Sequence, residues 1–304
     1  MKKTILITGG SGFLGFSLAK KFHQIGYEVF GIGRKSKSTD SELLSSVFDD
    51  FIENEISYKA LSNLASYKFD AIIHCASNTS ISKSLELPKY DYDSSVSSTK
   101  ELLDFVKMYQ KNCLLIFPSS AAVYGEHPDK PIDESSNLNP ISPYGKNKLR
   151  VEGLLKKYRN ICNINIIRFF SIYGPGQKKM LIWDAANKIT KNTNVTSFFG
   201  HGTETRDFIY IDDAIDLILG LINLKKNFLV INGASGKRTT TREILSLLKK
   251  ELNPKFKIQF NNQKRKGDPN FFHADISKLG RYGLLPKHEL EDGIKKFANW
   301  YKSL

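Results

Sequence analysis

A glycine-rich segment follows directly after a short apolar run near the N-terminus. Residues Lys3–Thr8 are mostly apolar or β-branched, and the chain continues Gly-Gly-Ser-Gly-Phe-Leu-Gly over residues 9–15. Apolar residues then recur at helical spacing up to Ile25. A strand, a glycine turn and a helix form the context in which glycines let the backbone approach a pyrophosphate at a helix N-terminus. The segment predicts a Rossmann-type dinucleotide site formed by Gly9, Gly12, Phe13, Leu14 and Gly15.

Further strand and helix patterns alternate after this turn. Strands are predicted over 28–33, 69–75, 114–117 and 163–170, with helices over 94–110 and 143–158 among them. This order predicts an α/β fold: a Rossmann-type doubly wound parallel sheet with a smaller C-terminal α/β lobe. We expect residues 1–170, with 205–235 returning to them, to bind the dinucleotide and residues 171–304 mainly to bind substrate.

Composition disfavours several other classes of protein. No apolar run among the 304 residues approaches the length of a membrane helix, and no cluster of metal-ligand residues is present. Cys75, Cys113 and Cys162 are widely spaced and form no CxxC pair, as is typical of reduced thiols. The sequence therefore predicts a cytoplasmic protein with no metal site and no membrane partner.

The net charge of +14 raises the alternative of a nucleic-acid partner. The lysines are spread along the chain, however, and no basic tract interleaved with aromatic residues appears. A solvated, lysine-rich surface explains this distribution better than RNA or DNA binding. A small polyanionic ligand can still use part of the positive charge.

The end of the second predicted strand bears on the choice of cofactor. NAD enzymes of this fold usually place an acidic residue here, on the ribose diol, but this chain has Arg34 and Lys35. An acid would repel a 2′-phosphate, whereas two cations can pair with it. The sequence therefore favours NADP(H), and NAD(H) remains possible if both cations are solvated turn residues.

The strongest chemical signal lies at the start of the predicted helix 143–158. Ser142 is a good N-cap and Pro143 suits the first helical position. Tyr144 and Lys148 are four residues apart, so they lie on one face of the helix. Lowering a phenol pKa from 10 to 7 takes about 4 kcal/mol. An adjacent ammonium and a cationic nicotinamide can supply that stabilisation.

Small polar residues follow two of the predicted central strands. Ser119 and Ser120 end the strand that begins at Leu114, where a hydroxyl can bond a substrate oxygen or simply cap a turn. Ala76 and Ser77 follow the strand that ends at Cys75. The carboxyl ends of such strands face the ligand in a doubly wound sheet. His74 is interpreted as a packed residue.

These segments together resemble the extended short-chain dehydrogenase/reductase family, in its nucleotide-sugar epimerase/dehydratase branch. TGGSGFLG, SSAAVYG, SPYGKNK, RFFSIYGPGQ, TRDFIYIDD and a late RKGD loop occur in the family's order over nearly the whole chain. The resemblance implies that Tyr144 is the acid/base, that Lys148 lowers its pKa and holds the nicotinamide ribose, and that Ser120 bonds the reacting oxygen. It further implies a homodimer through helices 94–110 and 143–158. Cofactor contacts are implied for Ala76, Ser77, Ser119 and Phe169, and nucleotide-diphosphate sugar contacts for Ser171, Arg206, Arg265 and Asp268.

Departures from the family pattern narrow the expected reaction. Family dehydratases carry an Asp-Glu pair after the active-site Ser or Thr, but Ala121 and Ala122 stand here. Since elimination of water needs that acid/base pair, a 4,6-dehydratase is disfavoured. Ser95 and Ser171 replace asparagines that are frequent in the family.

The leading hypothesis is therefore an NADP(H)-dependent keto-sugar reductase or reductase-epimerase in surface-polysaccharide precursor synthesis. The alternatives are an NAD-dependent UDP-sugar 4-epimerase or a one-way sugar-nucleotide dehydrogenase. A cofactor-sensing or RNA-binding family member is the non-enzymatic alternative. Sensors often lose the Tyr/Lys pair, which this chain retains.

Overall fold

The computed structural model describes residues 2–34, 41–191, 195–224, 226–263 and 269–304. Its strands are β1 (Thr4–Thr8), β2 (Glu28–Gly33), β3 (Asp50–Glu53), β4 (Ala71–His74), β5 (Leu114–Ser120), β6 (Asn163–Phe169), β7 (Ser171–Tyr173), β8 (Val195–Phe198), β9 (Thr205–Arg206), β10 (Phe208–Tyr210), β11 (Phe228–Gly233), β12 (Thr239–Thr240) and β13 (Lys257–Phe260). Its helices are α1 (Phe13–Gln24), α2 (Ser41–Ser45), α3 (Tyr58–Ser62), α4 (Ile81–Glu86), α5 (Pro88–Tyr92), α6 (Ser98–Tyr109), α7 (Pro143–Lys157), α8 (Met180–Lys191), α9 (Ile211–Asn223), α10 (Thr241–Leu252), α11 (Ser277–Arg281) and α12 (Leu290–Lys302).

The central sheet of the described chain has seven parallel strands in the order β11-β6-β5-β4-β1-β2-β3. The chain adds β2 and β3 on one side of β1 and then returns to add β4, β5 and β6 on the other. The order therefore reverses between β1 and β4, which is the switch point where doubly wound sheets bind ligands. In the register, Thr8 lies opposite both Ile32 and His74. The predicted fold class is confirmed.

Apolar residues of the sheet and of two long helices form the core that positions the site. Leu6, Ile72 and Leu115 are neighbours across three strands and are all fully buried. They belong to the same apolar cluster as Leu102 of α6 and Val151 of α7. Burying one such side chain stabilises the fold by about 1.5–3 kcal/mol. This packing fixes α7, which carries the predicted catalytic pair, relative to the ends of β4 and β5.

The first compact unit comprises Met1–Gly125, Asn137–Arg168 and Ile218–Ile231. The second comprises Glu126–Ser136, Phe169–Leu217 and Asn232–Leu304. Within the second unit, the pairs β7/β10 and β8/β13 are parallel, and β9 pairs with β12 in antiparallel orientation. The division of cofactor and substrate binding between 1–170 with 205–235 and 171–304 stays a prediction.

Two local features differ from the sequence-based expectation. The predicted helix 94–110 begins with a π-helical turn over Asp93–Ser97, and α6 follows it. The strand β3 was not predicted, because its residues are exposed or only half-buried and lack a continuous apolar run. Among the described residues, no helix is both long and apolar enough to span a bilayer.

Candidate active site

The glycine turn between β1 and α1 is shaped by close backbone contacts. Gly9 has a φ of +69°, and a Cβ there would lie 2.7 Å from the backbone nitrogen of Ala76. A Cβ on Gly15 would lie 2.4 Å from the carbonyl oxygen of Gly9. Gly12 is the N-cap of α1 and provides no side-chain hydrogen bond to the first amides of the helix. The open turn and these amides fit the pyrophosphate of a dinucleotide.

The start of α7 is held in place by three contacts. The Ser142 hydroxyl accepts a hydrogen bond from the Gly145 amide at 3.1 Å, as expected of an N-cap. The Tyr144 amide donates to the Ser84 hydroxyl at 3.2 Å. A Cβ on Gly145 would lie 2.5 Å from the carbonyl oxygen of Ala122, so a glycine is required for this close approach. Tyr144 is thereby placed beside the turn that follows β5.

Ser120 and Tyr144 form the centre of the candidate site. The Ser120 side chain hydrogen-bonds to that of Tyr144 and also accepts from the Ala122 amide at 3.2 Å. The residue therefore serves both as a partner of the phenol and as the cap of the 3-10 turn Ala121–Val123. Burial raises the pKa of Tyr144 to about 12, although the hydrogen bond from Ser120 opposes this increase. A further positive charge, such as an oxidised nicotinamide, is needed to make Tyr144 a base near neutral pH.

Lys148 lies near Tyr144, and its ammonium group is buried. Its Nζ donates to the Ser77 hydroxyl at 2.9 Å and to the Pro118 carbonyl at 3.1 Å. The same atom lies 4.7 Å from the ring centroid of Phe117 and 5.8 Å from that of Tyr144. Burial lowers the pKa of Lys148 to about 8. The predicted residues Tyr144, Lys148, Ser120 and Ser77 are thus brought together.

A buried ion pair supports the end of β5. The guanidinium of Arg168 binds both carboxylate oxygens of Glu152, with Nη2 at 2.8 Å from Oε2 and Nε at 3.2 Å from Oε1. The Ser119 hydroxyl donates to Glu152 Oε1 at 2.6 Å, and Arg168 Nη1 donates to the Tyr124 hydroxyl at 3.2 Å. We did not predict Glu152 or Arg168. The sequence does carry one sign of Glu152: Tyr144, Lys148 and Glu152 follow one another at four-residue intervals, which places them on one face of the helix.

His74 is a packed residue rather than a ligand. Its Nδ1 lies 2.7 Å from the Thr8 hydroxyl and its Nε2 lies 2.9 Å from the Thr99 hydroxyl. Burial lowers the pKa of His74 to about 3, so the ring is neutral at physiological pH.

The remaining predicted residues lie elsewhere or outside the described chain. Phe169 ends β6 and is buried. The Ser171 amide donates to the Asp207 carbonyl at 2.9 Å. Arg206 Nη1 donates to the carbonyl oxygens of Thr205 and Pro269 at 2.8 and 2.9 Å. Arg265 and Asp268 lie outside the described residues, and the predicted ligand contacts of all these residues stay predictions.

Known proteins resemble this chain over nearly its whole length. A family model described as "NAD dependent epimerase/dehydratase family" matches residues 5–232. A putative UDP-glucose 4-epimerase of Methanocaldococcus jannaschii is 30% identical, with 98% of each chain covered. The UDP-glucose 4-epimerase of Thermotoga maritima, solved with UDP-glucose, has a TM-score of 0.90 at 26% identity and 99% coverage of both chains. The UDP-glucuronic acid 4-epimerase of Bacillus cereus, in complex with UDP-glucuronic acid and NAD, has a TM-score of 0.87 at 28% identity and the same coverage.

The preference for NADP(H) predicted from Arg34 and Lys35 is wrong. The matched family is NAD dependent, and the similar Bacillus cereus enzyme contains NAD. In this chain Arg34 Nη2 donates to the Tyr90 hydroxyl at 2.6 Å, while Nη1 lies 3.6 Å from a Glu55 carboxylate oxygen. Glu55 therefore places a negative charge beside Arg34, where it would repel a 2′-phosphate. Lys35 lies outside the described residues.

The matched model spans well over half of the chain, and the likeness to the Methanocaldococcus jannaschii relative covers 98% of it. The strand–glycine–helix turn and the Tyr144–Lys148 pair occupy the positions expected from the sequence resemblance. The chain belongs to the NAD-dependent epimerase/dehydratase family of extended short-chain dehydrogenases/reductases.

Proposed function

We propose that this protein is an NAD-dependent UDP-sugar 4-epimerase. The observation that carries the proposal is the cluster at the end of β5, where the Ser120 hydroxyl bonds the Tyr144 phenol and Lys148 lies alongside. This cluster belongs to the same compact unit as the open glycine turn. The similarity to 4-epimerases of UDP-glucose and UDP-glucuronic acid supports the substrate class.

The residues of the first unit fit NAD. Gly9, Gly12 and Gly15 with the first amides of α1 would hold the pyrophosphate, and Lys148 would hold the nicotinamide ribose. When bound, NAD supplies a hydride acceptor that later returns the hydride, so the sugar carbon is inverted without net consumption of cofactor. The chain itself must therefore move the proton of the sugar hydroxyl and let the oxidised sugar present its opposite face to the returning hydride.

Tyr144 accepts that proton in the oxidising half of the reaction and gives it back in the other half. Ser120 holds the reacting oxygen beside the phenol, and the Lys148 ammonium stabilises the phenolate. Since the pKa of Tyr144 is raised to about 12, mainly by burial, the phenol stays protonated until the oxidised cofactor adds its charge. Proton abstraction is thus coupled to cofactor occupancy.

An epimerase accounts for the site better than the other reactions considered. Ala121 and Ala122 follow Ser120, so the second acid/base pair that a dehydratase needs is not supplied there. The reductase hypothesis depended on NADP(H), and no other observation favours net consumption of a cofactor. Diphosphate binding by Arg206 and Arg265, sugar contacts by Ser171 and Asp268, and dimerisation through α6 and α7 belong to this proposal.

The test is to incubate the purified protein with NAD and UDP-glucose or UDP-glucuronic acid, and to follow the anomeric protons by NMR. We expect the 4-epimer to appear while absorbance from NADH does not accumulate. Tyr144→Phe should lower turnover by about 10²–10⁴-fold. The matched control is Tyr158→Phe, which removes a phenol hydroxyl at the other end of α7 and should retain activity.

Absence of epimer with every UDP-sugar tried would overturn the proposal. Stoichiometric accumulation of NADH would instead identify a one-way dehydrogenase.

A further inference from the structure

Asp91 is a fully buried carboxylate in α5 that is held by two asparagine amides. Asn78 Nδ2 donates to Oδ1 at 2.7 Å, and Asn147 Nδ2 donates to Oδ2 at 2.7 Å. Asp91 takes no part in the ion pairs of the described chain. Amide dipoles therefore solvate its charge, and no cation of the described chain is paired with it directly.

Both asparagines lie beside residues of the candidate site. Asn147 lies on α7 between Tyr144 and Lys148, and Asn78 directly follows Ser77, whose hydroxyl accepts from Lys148 Nζ. Asp91 thus joins the turn after β4 to the helix that carries the catalytic pair.

The oxygen of each asparagine amide is also engaged. Asn78 Oδ1 accepts from the Ser80 amide at 3.2 Å, and Asn147 Oδ1 accepts from Arg150 Nη1 at 2.7 Å. These contacts direct both amide NH₂ groups toward Asp91. An ionised carboxylate, whose oxygens only accept, is the side chain that this arrangement suits.

The other titratable groups near Lys148 carry little net charge at neutral pH. Burial raises the pKa of the Cys75 thiol to about 12 and lowers that of the His74 imidazole to about 3, so both are neutral. Glu152 is paired with the Arg168 guanidinium. Asp91 is the remaining uncompensated charge among the groups that act on Lys148.

We propose that Asp91 is a positioning residue of the active site. It clamps Asn78 and Asn147, which keeps Ser77 and Lys148 in contact, and its negative charge holds Lys148 in the ammonium form. The inference rests on the proposed function in one respect only, namely that Lys148 serves the reaction.

The direction of the charge effect is defined. Burial lowers the pKa of Lys148, whereas Cys75, Asp91 and Glu152 raise it. Asp91 also raises the pKa of Tyr144. Removing the charge of Asp91 should therefore lower the pKa values of both Lys148 and Tyr144.

The chain offers a matched set of variants. Asp91→Asn keeps the shape of the side chain but removes its charge. Because an amide has only one oxygen, its own NH₂ group would face the NH₂ group of one of the two asparagines. Asp91→Asn combined with Asn147→Asp exchanges the two side chains. The hydrogen bond between positions 91 and 147 is then restored, with the carboxylate at position 147 as the acceptor. Asp91→Ser is a second variant without the charge, whose small side chain leaves room for water.

The first measurement needs no turnover. Protein labelled with [¹³Cε]lysine and free of cofactor is titrated by NMR, and the Lys148 resonance is assigned from its absence in Lys148→Met. We expect a midpoint near pH 8 for the natural protein. In Asp91→Asn and Asp91→Ser it should be lower by about one unit. In the exchanged double variant the shift should be only partly reversed, because a carboxylate at position 147 would pair with the Arg150 guanidinium.

The second measurement is the pH profile of epimerisation. If turnover needs the ammonium form of Lys148, activity is lost as pH rises through the Lys148 pKa, so this alkaline limb should move to lower pH in Asp91→Asn. If Asp91 had only a structural role, Asp91→Asn would lower activity without moving the alkaline limb of the pH profile.

The outcomes separate this inference from the proposed function. A Lys148 midpoint that is unchanged in both variants without the charge overturns the role of Asp91, whatever the activity. Loss of the folded state in both variants, seen by circular dichroism, also overturns it, because Asp91 would then act on the fold. A shifted midpoint in a protein that epimerises no UDP-sugar supports the role of Asp91 and rejects the 4-epimerase.

Discussion

Two buried carboxylates lie near Lys148, and their surroundings differ. Glu152 is bound by the Arg168 guanidinium through both oxygens and accepts a further hydrogen bond from Ser119. Asp91 accepts from two neutral amides. An adjacent cation cancels most of the field of Glu152 beyond the pair, whereas amide dipoles stabilise Asp91 without removing its charge. The first carboxylate therefore serves mainly to hold the end of β5, and we propose that the second also acts electrostatically on Tyr144 and Lys148.

The largest expected effect comes from breaking the Glu152 pair. Glu152→Gln removes the negative charge and leaves the Arg168 guanidinium buried, with only 6% of its side chain exposed. Removing one partner of a buried ion pair typically destabilises a protein by about 3–5 kcal/mol. Chemical denaturation would measure this loss.

The control for this variant replaces both members of the pair by methionine. An apolar pair of similar volume leaves no buried charge, so Glu152→Met with Arg168→Met should be clearly more stable than Glu152→Gln alone. A loss below about 1 kcal/mol for Glu152→Gln would mean that the pair does not hold the end of β5.

A smaller loss is expected on the Asp91 side. Asp91→Asn leaves a mismatch at one hydrogen bond but no buried cation, which corresponds to about 1–3 kcal/mol. The same denaturation experiment measures it, and exchange of the side chains between positions 91 and 147 should recover most of the loss. Equal losses for Asp91→Asn and Glu152→Gln would contradict the distinction between an amide-held and a cation-paired carboxylate.

A third buried polar side chain has no partner at all in the described chain. Asn165 lies in β6, is fully buried, and neither its Nδ2 nor its Oδ1 has a hydrogen-bond partner among the described residues. Asn165→Leu has a similar shape and removes two unsatisfied groups, so it should raise the unfolding free energy by about 1–3 kcal/mol. Asn163→Leu, at the half-exposed start of the same strand, is the matched control and should give no such gain. Destabilisation by Asn165→Leu would show that the amide is satisfied in solution.

The parts of the site that are local in sequence could be predicted. The glycine turn and the Tyr144–Lys148 pair depend on spacings of a few residues, and the structure places both as the spacing predicts. Asp91 could not be found in this way, because its partners Asn78 and Asn147 lie 13 and 56 residues away. Nothing in the sequence around Asp91 distinguishes it from a solvated acid.

The error at Arg34 has the same physical origin. Two adjacent cations after the second strand favoured a phosphate, but the groups that surround Arg34 are Tyr90 and Glu55, which are distant in sequence. The identity of a residue indicates its charge, whereas its neighbours in the fold decide what that charge can bind. The strand β3 was missed for a related reason, since an edge strand with half-exposed residues gives a weak apolar pattern.

The smallest effect is expected at Arg34, which contrasts with the buried carboxylates because half of its side chain is exposed. Contacts of this kind contribute little, so Arg34→Ala should change the affinity for NADH by no more than about threefold in a fluorescence titration. NADH should bind more tightly than NADPH in both proteins. Glu55→Gln removes the opposing carboxylate and should improve NADPH binding as long as Arg34 is present. The control is Glu55→Gln combined with Arg34→Ala, in which NADPH binding should not improve. Tighter binding of NADPH by the natural protein, lost on Arg34→Ala, would show that Glu55 does not offset the charge of the guanidinium.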